Sequence, residues 1–502
     1  MNANLYALFA SRFPEDRSAC CIETSSGALY SWQDVERASG RIANLLRSLN
    51  LPPAARIAVQ VEKSAEALIL YLATIRAGYV YLPLNSAYRA AEIDYFIGNA
   101  KPSVVVCAPD NFGWTSKIAF QRDTAHVYTL GDDRTGSLLA RAATQSDHFE
   151  TVQSAPDDLA AILYTSGTTG RSKGAMLSHA NLSSNALTLQ RAWHWQRGDI
   201  LLHALPLFHV HGLFVASHGA LLNGSKMIFM NRFDAQDVIR LLPRATTFMG
   251  VPTFYVRLLT EPSFDAGACR SVRLFISGSA PLLRDTFDTF QQRTGHVILE
   301  RYGMSETTML TSNPYEGERR GGTVGLPLKD VQVRVVDEQG RACQVGEVGA
   351  IEVQGPNVFH GYWQMPEKTT EEFTEDRFFR TGDVGRFDAD GYLTIVGRSK
   401  DLIITGGYNV YPKEIESVLD DMECVVESAV IGVPHADFGE AVTAVIVRNA
   451  GSSVSEAAII AELKSQIANF KVPKRVHFVD DLPRNTMGKV QKNVLRERFK
   501  DV

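Results

Sequence analysis

Six cysteines are spread over 502 residues, and none has the spacing of a metal site: Cys20 and Cys21 are adjacent, while Cys107, Cys269, Cys343 and Cys424 stand apart. They read as reduced thiols. Long apolar runs are missing too, since the best candidate, residues 65–84, is interrupted by Arg76 and Gly78, and a membrane span needs about 20 uninterrupted residues. The N-terminus, MNANLYALFASRFPEDRSACC, has no basic start, and its apolar stretch breaks at Ser11 and Arg12. No secretion signal is expected there, and a cytoplasmic location is. A net charge of -5 without any block of like charges argues against a polynucleotide partner. Repeats and low-complexity linkers are absent as well. What remains is ordinary: 45% hydrophobic and 21% charged residues exclude disorder, collagen and coiled coil. A chain this long exceeds one ordinary core, so two or more domains are expected.

From residue 161 to about 306, short apolar runs alternate with helical stretches, the pattern of a mostly parallel sheet wrapped by helices. Candidate strands are 103–108, 160–164, 226–230, 246–250, 273–277 and 297–301. Beyond Gly325, VQVRVVD, GAIEVQG and DGYLTIVGR alternate between Gly/Asp turns and predict antiparallel strands of a small barrel or meander. The charged RSKD at 398–401 marks a boundary. The remaining hundred or so residues restart an α/β pattern, with a helix at 412–422, strands at 425–433 and 441–448, and a capping box at 453–456 opening another helix. Ile460, Leu463, Ile467 and Phe470 give that helix an apolar face.

The richest stretch is YTSGTTGRSKG at 164–174, directly after an apolar run. Small residues let backbone N–H groups approach an anion, hydroxyls add donors and a lysine adds mobile charge, so the stretch suits phosphate. It is not a Walker A loop, because Lys173 is followed by Gly174 and the glycine spacing differs. Taken alone it also reads as an ordinary polar turn.

The run resembles the phosphate-binding loop of the adenylate-forming superfamily of acyl-CoA synthetases, luciferases and adenylation domains. Five further segments resemble that superfamily's motifs in the same order: SGSAP (277–281), RYGMSE (301–306), TGD (381–383), GRSKD (397–401) and PRNTMGK (483–489). The resemblance implies an α/β fold with a large N-terminal domain (1–398) of parallel-type sheets plus a β-barrel-like subdomain. A hinge (399–401) and a small mobile α+β C-terminal domain (402–502) would follow. It implies ATP and Mg²⁺ as cofactors and coenzyme A as cosubstrate. ATP would be held by Thr165, Ser166, Gly167, Thr168, Thr169, Gly170, Lys173, Ser279, Ala280, Pro281, Glu300, Tyr302, Gly303, Ser305, Asp383 and Arg398. Lys489 and Glu306 would be catalytic, with Glu306 and Thr165 beside the metal. Lys400 and Asp401 would absorb the hinge rotation, and Gly406, Gly407 and Tyr408 would guide CoA. The context of Lys489 resembles acetylation sites of the superfamily, so an acetyltransferase and a deacetylase are expected partners. No carrier domain is expected beyond Lys489.

Attack of a carboxylate on a phosphate brings anion to anion, so such catalysis rests on positioning and charge neutralisation rather than on a protein nucleophile. For the acid, LERYGMSET, SNPY, SHANL and PRNTMGKVQK resemble malonyl-CoA synthetases over essentially the whole chain. His209, Arg257, Ser277, Arg301 and Met304 would line the acyl pocket, with the two arginines facing a distal carboxylate. Val210 and Ser305 stand where many of those enzymes have Thr. A metal pair at His209 and His211 is disfavoured, because no further His or Cys clusters nearby. The alternatives are methylmalonate or another small acid, a non-CoA acceptor as in luciferases, and a carboxylate-binding protein without turnover.

Overall fold

The structure is a computed structural model describing residues 2–165, 172–405, 408–435, 439–485 and 488–500. Its largest part carries two sheets. One has six strands and includes Arg56–Gln60, Val80–Pro83, Val104–Cys107 and Leu159–Thr165; the other has nine and includes Ile200–His203, Lys226–Phe229, Thr247–Gly250, Leu274–Ser277 and Leu299–Met304. Most pairings are parallel. Their short β-branched segments are buried on both faces, as in the VVVC strand, which is what helices on each side require. The parallel pattern therefore starts a hundred residues earlier than the alternation from residue 161 suggests. The helix Ala65–Arg76 explains why: all twelve of its residues are buried, so it shows no amphipathic stripe against which the flanking strands stand out.

Residues 332–398 form a four-stranded antiparallel sheet in sequence order, so of the two alternatives the meander is seen. After a 3₁₀ turn at Ser399–Asp401, a separate five-stranded sheet built from residues 403–479 packs against Pro412–Asp420 and Glu456–Gln466 around its own apolar cluster. Two details differ from the sequence reading of that last helix. Its N-cap is Ser455, whose hydroxyl accepts from the Ala458 N–H, and Glu456 accepts from the Val476 N–H instead of closing a box with Ser453. The helix ends at Gln466, so Ile459 and Leu463 form its buried side while Ile467 and Phe470 lie beyond it. No helix among the described residues is long and apolar enough to cross a membrane.

Strands Thr247–Gly250, Leu274–Ser277 and Leu299–Met304 run parallel, so the loops leaving them emerge at one edge, where open α/β sheets place ligands. The capping assignment is testable by hydrogen exchange. Ser455→Ala should lower the opening free energy of amides in Glu456–Gln466 by about 1 kcal/mol, and Ser453→Ala should leave it unchanged.

Candidate active site

At that edge Arg301 is 3% exposed, and its Nε and Nη2 have no hydrogen-bond partner among the described residues. Burial pulls its pKa down to about 9, which still leaves it charged at neutral pH. Room for the guanidinium comes from Gly278, where a Cβ would sit 2.5 Å from Arg301 Cζ. Two more buried polar atoms here, Ser277 Oγ and His211 Nε2, lack partners among the described residues. His211 Nδ1 lies 3.3 Å from the Ser279 hydroxyl, and Ser279 is held at φ 74°, a left-handed conformation that non-glycine residues keep mainly where surrounding structure over-determines it. His209 accepts from the His211 N–H at 3.3 Å. Burial, with the charges of Lys489 and Arg301, pulls His209 down to about 3, and burial with Arg301 pulls His211 well down also. Both imidazoles are therefore neutral donors or acceptors beside a cation that forms no ion pair among the described residues.

The nucleotide motifs converge on the same place. Asp383, 5% exposed, pairs across the antiparallel register with Arg398 at 3.0 Å and accepts from the Tyr302 hydroxyl. Glu306 is buried in the hairpin turn after Met304, with Tyr362 Oη at 3.0 Å. Burial raises its pKa, opposed by that hydrogen bond and by Lys173 and Arg398. Lys173 pairs with Glu372 at 2.9 Å and sits 4.2 Å from the Tyr362 ring centre. Thr165 faces Lys173 across the neck of a β-hairpin, with Thr165 Oγ1 3.4 Å from the Lys173 carbonyl oxygen. A buried carboxylate such as Glu306 fits Mg²⁺, which takes one or two protein oxygens and completes its shell with phosphates and water. Glu300 accepts from the Leu282 N–H at 3.2 Å and so braces the loop carrying Ser279, Ala280 and Pro281, with burial pushing its pKa up to about 8. Gly303 lets two strands meet, since a Cβ there would lie 1.9 Å from the Thr308 carbonyl oxygen. Met304 and Ser305 are half-buried at the same strand end.

Lys489 stands among these groups, near enough to Glu306, Asp383, Arg398 and Arg301 to feel their charges. Crowding by protein, then Arg398, pulls its pKa down to about 8, opposed by Asp383 and Glu306. Its side chain keeps substantial exposure, so water reaching the ammonium relieves part of that pull. Neighbouring Gly488 abuts Thr253, with a hypothetical Cβ 3.3 Å from that side chain.

Arg257, expected on the pocket wall, is exposed instead. Helix Pro252–Thr260 buries Pro252, Tyr255 and Leu258, and at about 100° per residue position 257 points away from that stripe. Tyr255, which donates to the Ile276 carbonyl at 2.6 Å, is the residue this helix brings to Arg301. Ser166, Gly167, Thr168, Thr169, Gly170, Gly406 and Gly407, and the Tyr408 side chain, lie outside the described residues. Sequence reasoning weighed His211 only as half of a disfavoured metal pair, and missed Tyr362 and Glu372. The adjacent His209 flags His211, but nothing local flags the other two, which sit 56 and 199 residues from the groups they contact.

A model described as AMP-binding enzyme matches residues 7–363, and one described as AMP-binding enzyme C-terminal domain matches residues 414–489. The chain belongs to the AMP-binding enzyme family. Within that family it is similar to ATP-bound MatB from Rhodopseudomonas palustris, at 56% identity and TM-score 0.98, covering 100% of this chain and 99% of that one. Against apo MatB the identity is the same and the TM-score 0.87, so this AMP-binding enzyme is more similar to the ATP-bound structure than to the apo one. It is 34% identical to a malonate–CoA ligase of Arabidopsis thaliana, over 100% of this chain and 90% of that protein. A feruloyl-CoA synthase of Amycolatopsis is 33% identical over 94% of each. Whole-chain identity at that level does not select the acid; the pocket must.

Lys489 gives a pH prediction. A lysine that must be protonated to face two anions is lost as pH rises through its pKa, so kcat/KM for ATP, which reports the free enzyme, should fall on the alkaline side as pH rises through a lysine pKa lowered from its ordinary value. The kcat limb should lie higher, because bound triphosphate raises the lysine's pKa. Lys489→Arg should remove the alkaline limb from whatever activity it retains, and pH–rate profiles of pyrophosphate release would read both.

Proposed function

We propose that this AMP-binding enzyme ligates malonate to CoA at the expense of ATP. One malonate carboxylate oxygen attacks the α-phosphorus and pyrophosphate leaves. The CoA thiol then attacks the acyl carbon, losing its proton, and AMP departs with the electron pair of the broken acyl–oxygen bond. The observation that carries the acid is Arg301, a buried guanidinium with unpaired nitrogens beside the unpaired Ser277 Oγ and His211 Nε2. A monocarboxylate would leave that charge unanswered, whereas malonate supplies a second carboxylate to it.

The other residues take roles that follow from their placement. Lys489 neutralises the attacking carboxylate and the α-phosphate, Lys173 exchanges Glu372 for the triphosphate, and Asp383 receives the ribose hydroxyls between Arg398 and Tyr302. Mg²⁺ held at Glu306 would supply further neutralisation of the phosphates. A cavity of about 200 Å³ lined by Pro83, Leu84, Phe208 and Phe254 is the approach open to the slender thiol arm of CoA, with Gly406, Gly407 and Tyr408 guiding it. After adenylation the unit 402–502 rotates about 399–401 relative to 1–398. Ser399 is tied to the Gly382 carbonyl at 3.1 Å and Asp401 to Arg496 at 2.7 Å, which leaves Lys400 as the pivot between two anchored neighbours. Acetylation of the exposed Lys489 by a lysine acetyltransferase would remove its charge and stop the first step only.

Breaking one side of a buried pair costs roughly 3–5 kcal/mol. Arg301→Leu should therefore lower malonate kcat/KM by roughly 100-fold or more, with little effect on acetate. Arg257→Ala should cost less, because an exposed arginine is screened by water. A panel of malonate, methylmalonate, acetate, butyrate and benzoate with ATP and CoA tests the reading. Equal or better use of any monocarboxylate by the wild type would refute it. Lys400→Pro should block thioester formation while sparing pyrophosphate release, because proline fixes φ at the pivot; loss of neither step would rule out rotation at Lys400.

A further inference from the structure

Lys63 is 7% exposed, and no carboxylate pairs with it among the described residues. Its Nζ lies 2.9 Å from His203 Nδ1, donates to the His203 carbonyl at 2.8 Å and sits 4.3 Å from the Phe229 ring centre. On the far side of the imidazole, His203 Nε2 meets the Gly212 carbonyl at 3.0 Å and Ser217 Oγ at 3.1 Å. A carbonyl only accepts, so Nε2 carries the proton and Nδ1 is left to accept from Lys63. Ser217 Oγ donates to the same Gly212 carbonyl at 2.9 Å. His203 is 1% exposed and Ser217 fully buried.

The carbonyl at the end of this relay belongs to a π-helical turn, His211–Ser217. Such turns are rare and need outside support. This one is also pressed from the other side, because a Cβ on Gly212 would lie 1.9 Å from the Pro206 carbonyl oxygen. It begins with His211, whose Nε2 faces no partner and whose ring feels Arg301. We propose that Lys63 and His203 are positioning residues that fix the π turn, and through it His211 and Val210, so that the acyl pocket accepts the acid selected by Arg301.

The inference rests on the malonate reading, and steady-state kinetics of the full chain keep the two separable. Lys63→Met should leave Nδ1 without its donor, free the ring to change tautomer, and raise the KM for malonate by about tenfold with the KM for ATP within about twofold. The malonate-to-acetate ratio of kcat/KM should fall in parallel. His203→Gln keeps an amide N–H near the Nε2 position and should stay within about threefold of wild type in both constants, whereas His203→Leu should behave like Lys63→Met. Ser217→Ala deletes one hydroxyl from the same carbonyl and should give an intermediate rise, which keeps the test available if a core variant fails to fold. Folded variants with unchanged malonate KM, or with malonate and ATP constants rising together, would overturn the positioning role. If the wild type prefers another acid, the malonate reading fails, and the relay is scored on the KM of that acid instead.

Discussion

A guanidinium taken out of water without a counter-ion is costly, and the acyl end of this site is organised around one. Arg301 stays buried because Gly278 has no side chain to displace it and because Tyr255 closes the space on the helix side. Its charge in turn helps keep His209 and His211 neutral, so the two imidazoles beside it are neutral hydrogen-bonding groups rather than further cations. Such an arrangement lowers the free energy of a ligand that brings an anion to the far end of a short chain. A group left unpaired until ligand arrives is the usual route to discrimination beyond what packing one methylene provides.

The nucleotide end follows a different rule, in which charges are paired in advance. Lys173 is held by Glu372, and Asp383 by Arg398 and Tyr302. In the proposed function ATP would exchange partners with these groups and not assemble charges from water, which would limit the reorganisation required at the moment of reaction. Glu306 lies between these regimes: its donors, its own backbone N–H and Tyr362, are neutral and leave a buried carboxylate with spare acceptor capacity, the condition that suits a hard cation.

The loop bearing Lys489 reaches this centre from a unit with its own apolar core, and at its own end it contacts Thr253 through Gly488. In the proposed reaction one unit turns relative to the other. The short anchors on either side of Lys400 would concentrate such a turn at one residue.

The six motifs and their order were legible in the sequence because each depends on local backbone demands: glycines where chain segments or ligands approach closely, hydroxyls and a lysine suited to phosphate, strand ends for the site. The α/β class was legible from alternating apolar runs, although the buried helix Ala65–Arg76 hid the first sheet by having no polar face. Sequence alone also supplied two arginines of equal standing. Only the tertiary structure separated them, since a helix that buries Tyr255 turns Arg257 to solvent, while a strand end facing Gly278 buries Arg301. Tyr362 against Glu306, Glu372 against Lys173, and Lys63 against His203 were likewise invisible beforehand. Each pair joins residues 56 to 199 positions apart, and contacts at that separation are set by how the sheets and helices pack, which no local pattern encodes.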